Sequence, residues 1–118
     1  MSKQQSTEES SQDELVQFSS FYLDNTLCGI NITRVQEIND DLNITKVPLA
    51  PEYVMGIMNL RGQIVTIINL GMKIGLSPSI IAPKSRVVIT SSKGEHIGLL
   101  VDRVAEVITV SQGQIDIP

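Results

Sequence analysis

Side chains with nucleophilic or metal-binding chemistry are few in this sequence. His96 is the single histidine and Cys28 the single cysteine of 118 residues. One chain cannot complete a zinc site from those ligands or form an internal disulfide. A Cys28–His96 nucleophile pair would need no closeness in sequence. Cys28, however, sits mid-strand in an alternating pattern, where a small buried hydrophobe is the plainer role, and His96 enters a strand directly after a turn. Carboxylates offer little more. Asp40-Asp41 falls in a polar turn and Asp116 lies near the end of the sequence, and neither has an apolar setting that would raise its pKa for acid–base work. Asp102-Arg103 follows a strongly apolar strand and reads as a turn or local ion pair rather than a functional acid. Gly56, Gly62, Gly71, Gly75, Gly94 and Gly98 have no phosphate-loop or dinucleotide spacing. The residues predict no catalytic group, no cofactor and no metal.

Polar side chains inside apolar strands are the more unusual feature. Glu37 follows Val35 in an apolar setting, and Asn59 and Arg61 close a strand whose other members are Met55, Ile57, Met58 and Leu60. A charge in such a place is either paired or presented on a binding face. The expectation is a Glu37–Arg61 ion pair closing one end of a barrel, a partner contact, or both at once.

The elements that must position these residues are strands. Isoleucine and valine supply 27 residues against 3 alanines, no tryptophan and 4 Phe plus Tyr, an apolar content that is β-branched rather than helix-forming. Three hairpins are predicted. The first runs from Val16 through Asp24-Asn25 to Ile32, the second from Met55 through Arg61-Gly62 to Leu70, and the third from Arg86 through Ser92-Lys93-Gly94 to Val101. Val35–Ile38 and Val104–Val110 add single strands. The arm Ile64–Ile68 is apolar on both faces and reads as a strand covered on both sides. Pro51-Glu52 suits the first turn of a short helix through Val54. Asn69 can cap one helical turn, Leu70–Ile74, which Gly75 ends. Many short strands with Gly and Pro at the breaks indicate a small barrel or sandwich.

Charge narrows the partners. The formal net charge is -4, but Lys3 against Glu8, Glu9, Asp13 and Glu14 accounts for most of it. From Leu15 onward 8 basic residues face 9 acidic ones. Residues 1–14 have no apolar residue after Met1 and are expected to be a disordered acidic tail; residues 15–118 are expected to form the domain. A near-neutral body with few aromatics argues against a nucleic-acid partner, so an oligonucleotide- or small-ligand-binding barrel is the lesser reading from another class. No secretory signal opens the sequence and no apolar run approaches the roughly 20 residues of a membrane span. With one cysteine, this predicts a reducing cytoplasm and no membrane insertion.

In order along the chain, Gly29-Ile30-Asn31-Ile32, Val35-Gln36-Glu37-Ile38, Val47-Pro48, Ala50-Pro51-Glu52-Tyr53-Val54 with Gly56, and Asn59-Leu60-Arg61-Gly62 with Gly75-Leu76 are followed by Ile97-Gly98-Leu99-Leu100-Val101-Asp102 and Val104, Glu106, Val107. This series resembles the CheW family of chemotaxis coupling proteins from about Leu15 to Pro118, with Asn59-Leu60-Arg61-Gly62 its most specific part. The resemblance implies an all-β fold of two intertwined five-stranded SH3-like barrels with short helical turns. It implies a non-catalytic adaptor coupling transmembrane chemoreceptors to the histidine kinase CheA, located in the cytoplasm beside receptor arrays at the inner face of the membrane. Contacts to the receptor tips or to the regulatory domain of CheA would fall on Val35, Glu37, Gly56, Asn59, Arg61 and Gly62. Val88, Val104 and Val107 are further candidates, for the wall of a groove between barrels.

The CheW-like domain of a CheV protein, or that of CheA itself, is the nearest alternative. Cys28 stands where the family commonly has an aromatic residue, Asn69 where aspartate is frequent, and Gly71 where a basic residue is frequent; the first two are expected to be conservative in physical role. The family normally continues past Ile115-Asp116-Ile117-Pro118 into further strands and a terminal helix. The domain is therefore expected to be C-terminally incomplete, with strand edges left open or closed by strand exchange with a second copy.

Overall fold

The computed structural model describes residues 14–111. The acidic stretch 1–13 and residues 112–118, Asp116 among them, lie outside the described residues. Eight strands follow in order: β1 Leu15–Leu23, β2 Thr26–Asn31, β3 Val35–Asn39, β4 Val54–Leu60, β5 Gln63–Asn69, β6 Arg86–Ser92, β7 Glu95–Val101 and β8 Arg103–Ser111. A 3-10 turn, Ile32–Arg34, precedes β3, and a four-residue helix α1, Leu70–Lys73, follows β5.

The three hairpins form where turn chemistry allows them. In β4–β5 the two turn residues are Arg61 at φ 51 and Gly62 at φ 84, and in β6–β7 they are Lys93 at φ 52 and Gly94 at φ 82. Both pairs are left-handed, as a two-residue hairpin turn that follows the strand twist requires. Asp24, at φ 58, opens the β1–β2 turn, and its backbone N–H donates to the Asp102 carboxylate. Asp102 therefore ties a turn, as one of its expected roles had it, and does so without an ion pair to Arg103.

The strands make two open sheets, one of three strands in the order β2-β1-β8 and one of five in the order β3-β6-β7-β5-β4. This corrects the expectation of two five-stranded barrels. Closing a barrel needs a continuous ladder between the first and last strands of a sheet. Here the outer strands β3 and β4 share no ladder, and the link across to β4 is an isolated bridge, Thr45 to Ile57, made by the segment that follows β3. Three strands alone are too few to close. Among the described residues, β2 and β8 each pair only with β1.

Two further expectations are corrected. Pro51–Val54 is not a helix but a single turn closed by Val54 N–H to the Pro51 carbonyl at 2.9 Å, because Val54 is already committed to β4. In β5, Val65, Ile67 and Asn69 are buried, but Ile64 on the other face is 57% exposed. The strands covered on both faces are β6 and β7. Val87, Ile89 and Leu100 join Met58, Val65 and Ile67 in one core. The alternate residues Val88 and Val101 pack with Phe21 and Leu23 of β1 in a second core between the sheets. Each of these side chains contributes roughly 1.5–3 kcal/mol by leaving water, and together they hold the two sheets as one body.

Asn69 joins β5 to the loop beyond α1. It is buried, and its Oδ1 accepts from the N–H groups of Met72 at 3.3 Å and Ser79 at 3.1 Å, while its Nδ2 donates to the Ser79 carbonyl at 3.0 Å. The cap is as expected, but the amide donor makes Asn69 more than a stand-in for aspartate. Gly71 is also buried, and a Cβ there would lie 2.5 Å from the Ser77 carbonyl oxygen, so the same loop excludes the larger residue frequent at that position. Asn69→Asp is expected to lower stability by about 1–3 kcal/mol, since a carboxylate would face the Ser79 carbonyl with no proton to offer. A chemical denaturation midpoint equal to that of the native chain would contradict this.

Candidate partner-binding site

The sequence candidates separate into an exposed corner and a set of buried positions. At the corner, the Asn59 side chain accepts from the Gly62 N–H at 2.9 Å, which fixes the β4–β5 turn and aims Arg61 outward. Arg61 Nη2 donates to Glu37 Oε1. The pair forms as expected, and it joins the two outer strands of the five-stranded sheet rather than closing a barrel end. Glu37 also accepts from Asn39 Nδ2 at 3.3 Å. Asn39 is not among the sequence candidates; its spacing two residues from Glu37, which puts both on one face of β3, is the signal that identifies it. The Arg61 side chain keeps 73% of its exposure and Glu37 27%. Glu37, Asn59, Arg61 and Gly62 thus share one polar, solvent-facing corner.

Other candidates lie elsewhere. Gly56 is buried at φ 148, and a Cβ there would fall 2.1 Å from the Thr45 carbonyl oxygen. Its absent side chain is what lets Thr45 and Ile57 exchange hydrogen bonds of 2.9 and 2.8 Å. Val35 and Val104 are half-buried at the junction of the sheets, and Val88 is fully buried beneath them. In this arrangement Val88 offers no surface to a groove. Val107, on β8, is 50% exposed.

Cys28 and His96 do not meet as a nucleophile and base. Cys28 is on β2 in the three-stranded sheet, its thiol 3.7 Å from the Thr26 carbonyl, and burial pushes the thiol pKa up, away from the reactive thiolate. His96 is on β7 in the other sheet, where its Nδ1 has no hydrogen-bond partner. Among the described residues no three of His, Cys, Asp and Glu gather as metal ligands, and no helix is long and apolar enough to cross a membrane.

A sequence profile described as "CheW-like domain" matches residues 17–118, a span that includes every residue of the corner. The chain belongs to the CheW-like domain family. Chemotaxis protein CheW of Treponema pallidum is 36% identical over 110 residues, covering 90% of this CheW-like chain and 65% of that protein. Chemotaxis protein CheW of Helicobacter pylori is 32% identical over 104 residues, covering 88% and 63%. The chain therefore spans just under two thirds of the length of these two relatives. The crystal structure of the scaffolding protein TtCheW from Thermoanaerobacter tengcongensis superposes with a TM-score of 0.85 at 36% identity, covering 89% of this chain and 72% of that one. The CheW-like fold described above is shared at that level.

Two outcomes follow, one from the corner and one from buried Gly56. The Arg61 hydrogen bond and charge, with the Asn39 amide, hold the Glu37 carboxyl below its ordinary value against a partial opposing effect of desolvation. A lowered folded value stabilises the fold above the ordinary glutamate pKa of 4.5, and that contribution is lost as pH falls through the folded value. The stability difference between the native chain and Glu37→Gln should therefore shrink between about pH 6 and about pH 3 in urea titrations; a constant difference would contradict the pairing. Gly56→Ala should destabilise by about 3 kcal/mol or more, as read from the denaturation midpoint, because the added carbon displaces the Thr45 backbone.

Proposed function

We propose that the chain is a non-catalytic adaptor that links the histidine kinase CheA, through its regulatory domain, to the cytoplasmic tips of transmembrane chemoreceptors. Its place would be the cytoplasm, beside receptor arrays at the inner face of the membrane. The observation that carries this reading is the convergence of Glu37, Asn59, Arg61 and Gly62 on one exposed corner of a CheW-like domain. The description of TtCheW as a scaffolding protein agrees with it.

The mechanism is geometric. A body whose two sheets share a core can hold two partners at fixed relative positions, so a change at one is passed to the other as displacement rather than as a chemical step. Val35, Val104 and Val107 lie along or beyond the junction of the sheets and offer a second, more apolar contact surface.

Arg61 tests the assignment. Its side chain is largely exposed and its turn geometry comes from the backbone and Asn59, so Arg61→Ala should leave the melting temperature nearly unchanged while complex formation with the CheA regulatory domain falls in size-exclusion chromatography. A large drop in melting temperature with binding retained per folded molecule would instead make Arg61 a fold element. The same column reports whether open strand edges pair with a second copy.

A further inference from the structure

Three cations converge where the two sheets meet. Lys84 and Arg86 stand at the start of β6 and Arg103 at the start of β8, and with Val104 they line a cavity of about 270 Å³. Among the described residues none of the three is within ion-pair distance of a carboxylate, the ion pair there being Arg61–Glu37. Two of them are held in place by groups that orient a guanidinium without neutralising it. Arg86 Nη1 donates to the carbonyls of Pro83 at 3.1 Å and Ser85 at 2.7 Å. The Arg103 guanidinium lies over the Tyr22 ring, 3.8 Å from its centroid, a cation–π contact that leaves its edge N–H groups available. Like charges gathered together repel, and in a chain of net charge -4 this concentration of positive charge is local.

The neighbouring surface decides which anion. Arg103 and Val104 also line a larger groove of about 600 Å³ that continues past Tyr22, Leu27 and Ile108 and is lined by Glu106 as well. Leu27 and Ile108 are 48% and 38% exposed. A free phosphate would use the cations and leave this apolar strip wet. A polypeptide carrying carboxylates next to apolar side chains would use both.

We propose that Lys84, Arg86 and Arg103 receive the carboxylates of an acidic segment on a partner protein, whose adjoining apolar side chains lie along Tyr22, Leu27, Val104 and Ile108. Arg86 and Arg103 supply forked donors suited to carboxylate oxygens, and Lys84 adds a mobile charge. Paired and partly desolvated, such contacts fix register and discriminate against basic or neutral segments. The site is distinct from the Glu37–Arg61 corner, and its existence does not depend on which proteins are the partners of that corner.

Selection of random twelve-residue peptides on the full chain tests the proposal, with Lys84→Glu/Arg103→Glu as the parallel target. These two side chains are exposed, and circular dichroism confirms the fold of the variant before use. Peptides from the native chain should be enriched in Asp and Glu beside apolar residues, and those from the reversed variant in Lys and Arg. The best acidic peptide should bind about tenfold more weakly to Lys84→Gln/Arg103→Gln and more weakly as salt rises. Equal peptide compositions on the two targets would overturn the proposal. So would displacement of the acidic peptide by millimolar inorganic phosphate, which would mark a simple anion site, or undiminished affinity of the double Gln variant.

Discussion

Burial of the β6–β7 hairpin on both faces is the constraint on which the rest of the molecule depends. Val87, Ile89 and Leu100 look into the five-stranded sheet's own core, while Val88 and Val101 look across to Phe21 and Leu23. Alternate residues of one hairpin thus serve two cores, and neither core can be loosened without exposing the backbone of the other. Gly98 lies in the same hairpin, and a Cβ there would come within 2.7 Å of both Ile67 and Val87 side chains, which shows how tightly the five-stranded sheet's own core is filled. The polar features sit around this frame. The Arg61–Glu37 corner caps one end of the five-stranded sheet, and the Lys84, Arg86 and Arg103 cluster marks the seam between the sheets.

Local pattern made the strands and turns readable. Arg61-Gly62 and Lys93-Gly94 are turn signals with a steric reason behind them, and the structure places both pairs in the left-handed region. The unbroken runs Val87-Val88-Ile89 and Leu99-Leu100-Val101 read only as arms of the third hairpin, although both faces of β6 and β7 prove to be covered. Ile64–Ile68 carries the same signature and yet leaves Ile64 uncovered, because a continuous apolar run states what a strand could bury and not what is available to cover it. Pairing between distant strands was not readable at all. The parallel neighbours β5 and β7 and the union of β1 with β8 depend on how layers stack, which no local pattern encodes. The two closed barrels are an expectation of the family resemblance, and the open sheets found instead rest on pairings that no local pattern states.

The candidate site was legible to the same extent. Glu37 and Arg61 stood out because charge inside apolar strands demands a partner, and they partner each other. Gly56 was recognisable as special, but its reason, the Thr45 backbone passing 2.1 Å from where a Cβ would be, exists only in three dimensions. Val88 is a wall candidate through the family resemblance alone, and its burial between the sheets exists only in three dimensions. The basic cluster escaped notice for a plainer reason, since Arg103 is 17 residues or more from Lys84 and Arg86 in the sequence.

The ladder between β1 and β8 also sets an order in time. Val16 pairs with Val110 and Phe18 with Ile108, so β1 must wait for nearly the whole described chain to be made before its second neighbour exists. Until β6 and β7 follow, the core around Phe21 and Leu23 lacks Val88 and Val101, and contacts of such long sequence separation form slowly. The nascent β1–β2 hairpin therefore spends synthesis as an apolar ribbon with both edges open, the stage at which this protein is most exposed to aggregation.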